Sequence, residues 1–215
     1  MASDTGPDAI GRILEGADED WTIKIGEGLY VEILTTECKD ITIEGSGDAE
    51  DIIIEGIFTI DHEGITLDGV TLDGNGADNA LVVNNFGFTL ENCILEGADE
   101  ALVDVVAEPG DEDDPTVIDD CTFNIEDETG ILAGGVTEIS DSTFTVEEDG
   151  DGVGIEIDAD VTVEDCTFNG GSGVGVQVTA GDSEISGSTF AGLATALDID
   201  AGTVSVGGNT IQDCE

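Results

Sequence analysis

One short phrase recurs through the second half of this chain. It reads IDDCTF at residues 118–123, ISDSTF at 139–144 and VEDCTF at 163–168. Alignment on its fourth residue gives seven anchor positions, spaced 21 to 28 residues apart: Val70, Cys93, Cys121, Ser142, Cys166, Ser188 and Asn209. Such a period is typical of repeat architectures in which each unit packs on its two neighbours.

The residue types around each anchor follow one pattern. An aliphatic residue stands three positions before it, a second large apolar residue two positions after it, and threonine lies between in six of the seven units. This alternation predicts strands with apolar side chains inward and polar ones outward. The position just before the anchor holds Gly69, Asn92, Asp120, Asp141, Asp165, Gly187 and Gly208 in turn. These residue types tolerate a left-handed backbone, so we expect the strand to bend there.

A strand, a one-residue corner and another strand in every unit predict an all-β fold, a single-stranded parallel β-helix of about nine coils. A leucine-rich repeat has a similar period, but its Leu-x-x-Leu-x-Leu frame and asparagine ladder do not occur in the sequence. Helical repeats are excluded because the apolar spacing is two rather than three to four.

The two ends of the chain differ. Residues 1–20 are predicted to form a short capping helix and lead-in, with Ile10, Ile13 and Leu14 on one face. Residues 21–215 are predicted to form the β-helix, so that the whole chain is one domain. Trp21 and Tyr30 are expected to pack against the cap, and the alternative is a platform on which a sugar stacks.

The last corner lies six residues before Glu215, which leaves no second capping helix in the sequence. An uncovered coil presents unpaired strand edges, which proteins normally cover or charge. We therefore expect this end to be covered by a partner, by a second copy or by neighbouring loops, with Asp213 and Glu215 as a charged alternative.

The positions of the five cysteines argue against a disulfide framework. Cys93 and Cys121 would stack on neighbouring coils with parallel side chains, a geometry that suits a packed column of small residues better than a disulfide. The short Cys-x-x-Cys spacing of zinc sites is also missing.

Two acidic loops, residues 107–116 and 147–152, interrupt the regular units. Carboxylates clustered with glycine can bind Ca²⁺ or another cation, although the EF-hand order is missing; the alternative is a solvated loop. The candidate ligands are Asp111, Glu112, Asp113, Asp114, Glu147, Glu148, Asp149 and Asp151. No cofactor is required.

Charge restricts the function further. The formal net charge is −49, with 52 acidic residues against three cations, Arg12, Lys24 and Lys39. Nucleic-acid binding and attraction to anionic membranes are excluded, because both need many cations. We expect a halophilic protein, since molar salt screens neighbouring carboxylates from each other. The start of the sequence has neither the basic nor the apolar region of a secretory signal, and no apolar run is long enough to span a membrane.

The segments DAIGRILEGADEDWTIKIGEGLYVE, ITIEGSG and GITLDGVTLDGNG, with the repeated corners, resemble the pectate-lyase-like (pectin-lyase fold) superfamily over nearly the whole chain. The resemblance implies a right-handed β-helix. It implies no single activity, because the superfamily includes lyases, hydrolases, esterases, epimerases and viral tailspikes.

The catalytic residues implied by these enzymes do not carry over. The lyases use an Arg or Lys base and the pectinesterases two Asp, a Gln and an Arg, yet no Arg or Lys follows Lys39. The ordered segments of the polygalacturonase relatives are also missing, so no catalytic residue is assigned. A carboxylate-only glycosidase stays open, because two carboxylates at the proper separation suffice.

The sequence-based hypothesis is a non-enzymatic structural or recognition protein. The main hypothesis is an exterior virion component of a halophilic virus that infects archaea, namely a tail, spike, turret or decoration protein. The alternatives are a carbohydrate-active enzyme, namely a polysaccharide hydrolase or lyase, and an intracellular β-solenoid scaffold. The expected partners are other copies of the chain (a trimer by analogy) or virion proteins at the C-terminal coil, and a host-surface glycan or S-layer. The expected location is the virion exterior or hypersaline medium, or else a halophile cytoplasm.

Overall fold

A computed structural model describes residues 9–106, 114–148 and 150–214. One helix, α1, spans Ala9–Leu14, and a 3₁₀ helix spans Ala49–Asp51. The strands are β1 Thr22–Ile25, β2 Gly28–Val31, β3 Leu34–Thr35, β4 Thr42–Gly45, β5 Ile52–Glu55, β6 Phe58–Ile60, β7 Thr66–Asp68, β8 Thr71–Val83, β9 Thr89–Glu91, β10 Ile94–Val105, β11 Thr116–Asp119, β12 Thr122–Ile125, β13 Thr129–Ala133, β14 Thr137–Ser140, β15 Thr143–Val146, β16 Val153–Ile157, β17 Val161–Glu164, β18 Thr167–Asn169, β19 Val174–Val178, β20 Asp182–Ser186, β21 Thr189–Ala191, β22 Thr195–Ile199, β23 Thr203–Gly207 and β24 Thr210–Gln212.

Parallel pairing joins each strand to its counterpart one coil later and builds three faces. Face 1 consists of β1, β4, β7, β9, β11, β14, β17, β20 and β23. Face 2 consists of β2, β5, the first parts of β8 and β10, and then β12, β15, β18, β21 and β24. Face 3 consists of β3, β6, the second parts of β8 and β10, and then β13, β16, β19 and β22. The predicted parallel β-helix is confirmed, with nine strands stacked in face 1.

The predicted corners and their register are also confirmed. All seven residues before the anchors have a positive φ, between 49° at Asp141 and 71° at Gly208. The strands that follow them are paired in register, so that Thr122 lies beside Thr143 and Thr143 beside Thr167. Each corner therefore stacks on the corner of the previous coil, and one local backbone conformation is repeated along the solenoid.

Columns of identical or similar side chains fill the interior. Phe123, Phe144, Phe168 and Phe190 stack with ring centroids 4.5 to 4.7 Å apart and nearly parallel planes. The anchors form a second column, in which the Cys121 N–H donates to Ser142 Oγ at 3.1 Å. All five cysteines lie within the described residues and are free thiols.

The N-terminal coil is covered by α1. Ile10 and Leu14 are buried in the core, and the carboxylate of Glu32 accepts hydrogen bonds from the N–H groups of Ile10 and Gly11 at 3.1 and 2.9 Å. Trp21 is 45% exposed and Tyr30 packs against the core, and the contact of these two aromatics with the cap stays a prediction. The division at residue 20 stays a prediction.

The last described coil exposes side chains that are buried elsewhere. Ile199, Val206 and Ile211 are 51%, 56% and 56% exposed, whereas Val178, Ile185 and Phe190 in the same columns one coil earlier are fully buried. Coverage of this coil by a second copy or another partner stays a prediction. Among the described residues, no helix has the length and apolar character needed to span a bilayer.

Candidate functional site

An open cleft of about 440 Å³ lies on face 2, where the bulged strand β10 meets the regular strands β12 and β15. Its lining residues are Asp73, Glu96, Gly97, Asn124, Ile125, Glu126, Thr145 and Glu147. Carboxylates and an amide therefore dominate its polar surface. The cleft lies in the central coils, away from both ends of the solenoid.

Two carboxylates are brought side by side by strand register. Asp73 on β8 is the direct partner of Glu96 on β10, one coil later. Neighbouring strands lie about 4.8 Å apart, so the two side chains leave the sheet in the same direction at about that spacing. Glu55 precedes Asp73 in the same row. This row of three outward-facing carboxylates is not interrupted by a cation.

A glycine at residue 97 is required for this arrangement. Gly97 has a φ of 76°, a left-handed conformation that favours glycine. A Cβ at this position would also collide with Oδ1 of Asp73. The register of β10 shifts between Glu96 and Ala98 and again between Ala98 and Ala101. The resulting bulges turn the chain outward beside the carboxylates and form one side of the cleft.

Hydrogen bonds fix the orientation of the carboxylates. The Asn75 N–H donates to Asp73 Oδ1 at 2.8 Å, and its side-chain Nδ2 donates to Glu55 Oε1 at 2.7 Å. Asn124 Nδ2 donates to Glu96 Oε2 at 3.0 Å. Among the described residues, Asp73 Oδ2 and Glu96 Oε1 have no hydrogen-bond partner. Each carboxylate is thus held through one oxygen and offers the other to a ligand.

Acidic residues are register partners at several places in this chain, but the pair Asp73 and Glu96 differs from the pair on face 1 because it lines the cleft. Asp68 and Glu91 are register partners on face 1, and Asp68 Oδ1 also accepts a hydrogen bond from an asparagine, Asn92, at 2.8 Å. Neither residue lines the cleft. The pair Asp68 and Glu91 therefore provides a matched comparison for Asp73 and Glu96.

The lysines lie in the first coils and are engaged there. Lys24 forms a salt bridge with Glu44 at 3.0 Å, and Lys39 contacts Asp40 and Glu63 at 3.4 Å each. The cleft is therefore strongly anionic, with no lysine or arginine among its lining residues. Such a site disfavours the binding of a polyanion.

The predicted cation ligands fall in different places. Asp111, Glu112, Asp113 and Asp149 lie outside the described residues. The backbone carbonyl of Asp114 accepts a hydrogen bond from the N–H of Gly87, one coil earlier, at 3.1 Å. Glu147 lines the cleft, whereas Glu148 is exposed beside it and the Asp151 N–H donates to Asp127 Oδ1 at 3.4 Å. Within the described ranges, no three His, Cys, Asp or Glu side chains are placed to hold a metal ion. The Ca²⁺ site stays a prediction.

The interior thiols are unsuited to chemistry. Burial raises the pKa of Cys93 and that of Cys166 to about 12, and it raises the pKa of Cys121 as well. A thiol acts as a nucleophile or metal ligand in its ionised form, so these residues are inert at neutral pH. They act as small apolar members of the anchor column.

The sequence did not single out Asp73 or Glu96. With 52 acidic residues, carboxylates 23 positions apart carry no signal by themselves. A usable indication was the phrase DGNG at residues 73–76, within β8, together with the glycine after Glu96, because glycine within a strand often marks a bulge.

The fold and the cleft together define a class: parallel β-helix proteins with an open, carboxylate-lined cleft on one face. The chain belongs to the right-handed β-helix family, since the family model described as "Right handed beta helix region" matches residues 55–215. The right-handed fold implied by the sequence resemblance is confirmed. A comparison with curated protein sequences gives no significant match.

Solved structures with a similar fold include pectin methylesterases. The enzyme from carrot has a TM-score of 0.72 at 12% identity, covering 98% of this chain and 85% of that chain. The enzyme from Aspergillus niger has a TM-score of 0.71 at 14% identity, covering 100% and 90%. The enzyme from Yersinia enterocolitica has a TM-score of 0.63 at 11% identity, covering 94% and 89%. At this identity the likeness establishes the fold.

These neighbours correct the function expected from the sequence. The hypothesis of a non-enzymatic virion component, with its expectation that the chain is not an enzyme, is wrong, because several structures that match the chain over nearly its whole length are pectin methylesterases and none of these three is a virion protein. The alternative, a carbohydrate-active enzyme, becomes the proposal to test. The sequence-based reasoning gave most weight to the missing catalytic cations, although it left a carboxylate-only active site open.

Proposed function

We propose that this protein is a carbohydrate-active enzyme that hydrolyses a polysaccharide with the carboxylates of Asp73 and Glu96. The observation that carries the proposal is their direct register pairing within the cleft. The similarity to pectin methylesterases supports a carbohydrate substrate.

The spacing of the pair favours a retaining mechanism. Adjacent strands lie about 4.8 Å apart, and retaining glycosidases hold their two carboxyl groups about 5 to 5.5 Å apart. In the proposed reaction one carboxylic acid protonates the glycosidic oxygen while the other carboxylate attacks the anomeric carbon. Water then hydrolyses the glycosyl ester, and the first residue takes up the proton of that water.

Reducing-end release from a polysaccharide panel in molar NaCl tests the proposal. Asp73→Asn and Glu96→Gln are each expected to lower kcat by about 10²-fold or more, the usual contribution of a positioned acid or base. Asp68→Asn and Glu91→Gln, the matched pair on face 1, are expected to leave kcat unchanged. Equal effects of the two pairs would refute the assignment, because the loss would then reflect general charge or stability.

Hydrolysis of a methyl ester is the second candidate, and the observation that favours it is the fold of the pectin methylesterase neighbours. Two carboxylates can supply the nucleophile and the acid for this reaction also. The arginine that the resemblance implies for pectinesterases has no equivalent after Arg12. Methanol release from methylated pectin, measured beside reducing ends, separates the two reactions.

We also propose that the enzyme is active in molar salt. A net charge of −49 opposes a compact state unless ions screen it. The substrate would therefore be met in hypersaline surroundings, whether outside the cell or in a halophile cytoplasm, and both locations stay predictions. Activity that is highest in dilute buffer would contradict this part of the proposal.

A further inference from the structure

Face 2 carries an uncharged surface that begins at the cleft and continues toward the C-terminal coil. Its first row consists of threonines paired in register, one from each of five successive coils: Thr122, Thr143, Thr167, Thr189 and Thr210. Its second row lies two residues further along each strand and consists of Asn124, Thr145, Asn169, Ala191 and Gln212. These two rows are called the neutral track.

The neutral track contrasts with the rest of the same coils. Its five strands, β12, β15, β18, β21 and β24, contain no charged residue. Face 1 carries Glu138, Glu164 and Glu184 in these coils, and face 3 carries Glu156 and Asp198. Neutrality is therefore a property of this face and not of the coils as such.

The chemistry of the neutral track fits an uncharged ligand with hydroxyl groups. Threonine hydroxyls and the amides of Asn124, Asn169 and Gln212 both donate and accept hydrogen bonds, as sugar hydroxyls do. The threonine methyls and Ala191 offer apolar contact to the C–H surface of a sugar ring. Because the strands repeat about every 4.8 Å, these groups recur at a constant interval along the solenoid axis. A polymer with a regular repeat can contact them over several coils.

The neutral track is continuous with the proposed active site. Asn124, the first residue of the second row, donates to Glu96 Oε2 at 3.0 Å, and Asn124 and Thr145 both line the cleft. In the other direction the same row continues through Ile94 to Thr71, which is buried and whose hydroxyl donates to Ala49 O of the 3₁₀ helix at 2.9 Å. A chain lying on the neutral track can therefore extend away from the carboxylates in only one direction along this row.

We infer that the neutral track binds a single chain of an uncharged polysaccharide along the solenoid axis and delivers it to Asp73 and Glu96. This inference rests on the proposed function and specifies its substrate class. A polyuronate is disfavoured, because no lysine or arginine lies on this face to offset its charge and the flanking faces are acidic. Two copies packed through this face would bring their flanking carboxylates together.

Binding is tested in a protein that cannot turn over its ligand. The double variant Asp73→Asn, Glu96→Gln is titrated in molar NaCl, by affinity electrophoresis and calorimetry, with unsubstituted glucan, mannan and galactan and with polygalacturonate. At least one neutral polymer is expected to bind at least tenfold more tightly than polygalacturonate. Binding of none of the neutral polymers, or a preference for polygalacturonate, would overturn the inference.

Variants on the double-variant background locate the binding surface. Asn169→Asp and Thr145→Asp are each expected to weaken binding of the neutral polymer at least tenfold. Thr162→Asp, an outward-facing position on face 1 in the same coil as Asn169, is the matched control and is expected to have no effect. Equal affinities of all three variants would overturn the inference.

Two outcomes distinguish failure of the catalytic assignment from failure of the binding surface. If the neutral track variants weaken binding while the wild-type protein cleaves none of the bound polymers, the binding surface is supported and the assignment of Asp73 and Glu96 is refuted. If the wild type cleaves a polymer and the neutral track variants bind it normally, the catalytic assignment stands and the neutral track is refuted.

Discussion

Glu128 is a carboxyl that the fold buries although most acidic side chains of the chain face solvent. The residue is 6% exposed, and its Oε2 accepts hydrogen bonds from the N–H groups of Glu126 and Asp127 at 3.1 and 3.0 Å. Its Oε1 is buried without a hydrogen-bond partner. Burial raises the pKa of Glu128, and this effect outweighs the opposing effect of the backbone N–H groups. The ionised form is therefore disfavoured in the folded state.

The sign of the pH dependence follows from this shift. Because the pKa of Glu128 is higher in the folded than in the unfolded chain, its contribution favours folding at low pH and is lost as the pH rises through the folded pKa. Glu128→Gln keeps an acceptor for the two N–H groups and removes the charge. We expect it to raise the free energy of unfolding at pH 7 by about 1 kcal/mol, the usual scale of one substitution.

Urea unfolding in molar NaCl between pH 4 and pH 8 measures this effect. The gain from Glu128→Gln should shrink toward pH 4, whereas Glu138→Gln, at an exposed position on face 1, should show no such trend. A gain independent of pH would mean that the charge of Glu128 is not the cause.

Some residue-scale features were predictable and others were not. The left-handed corners at Asp120, Asp141 and Asp165 followed from the limited set of residues that tolerate this conformation. The roles of Asp73 and Glu96 did not follow, since acidic residues are so frequent that their spacing identifies no pair. Their selection depends on the bulge after Glu96, which arises from three-dimensional register.

At the scale of elements, the phenylalanine column connects successive coils of face 2. Phe144 is fully buried, with the ring of Phe123 at 4.5 Å on one side and that of Phe168 at 4.7 Å on the other. The sequence indicated this column through the recurring TF dipeptide. It did not indicate that β8, with 13 residues, and β10, with 12 residues, each continue from face 2 into face 3. The residues in the middle of these two strands show no regular alternation of apolar and polar side chains.

Removal of one ring tests how strongly the column stabilises the fold. Phe144→Ala is expected to lower the free energy of unfolding by about 3 to 5 kcal/mol, since it loses buried apolar surface and leaves a cavity. Phe144→Leu, which keeps most of the volume, should cost less than about 1.5 kcal/mol. Urea unfolding in molar salt measures both. Similar costs for the two variants would show that ring volume at this position is not what matters.

At the scale of the whole molecule, net charge is the dominant variable. Between about 0.01 M and about 1 M salt the Debye length falls from about 30 Å to about 3 Å, so most repulsion between carboxylates is removed. We expect NaCl over this range to raise the free energy of unfolding by at least about 3 kcal/mol, or roughly 10 °C in Tm for a chain of this size.

Thermal unfolding followed by circular dichroism checks this expectation, with sedimentation velocity at each salt concentration to report the oligomeric state. Sucrose is the control, because it stabilises compact states by exclusion from the protein surface without screening charge. If sucrose at matched osmolality stabilised the protein as much as NaCl does, screening would not be the cause.

The neutral track also affects how ions surround the molecule. In concentrated brine, sodium ions collect over faces 1 and 3, where the carboxylates of the later coils lie. Fewer sodium ions collect over face 2 of the same coils, because its strands carry no charged side chain there. A solute that approaches from that side displaces mainly water, whereas from the other two sides it must first displace hydrated cations. In brine the β-helix therefore has one face that a solute reaches through water and two that it reaches through a layer of cations, although its successive coils share one structure.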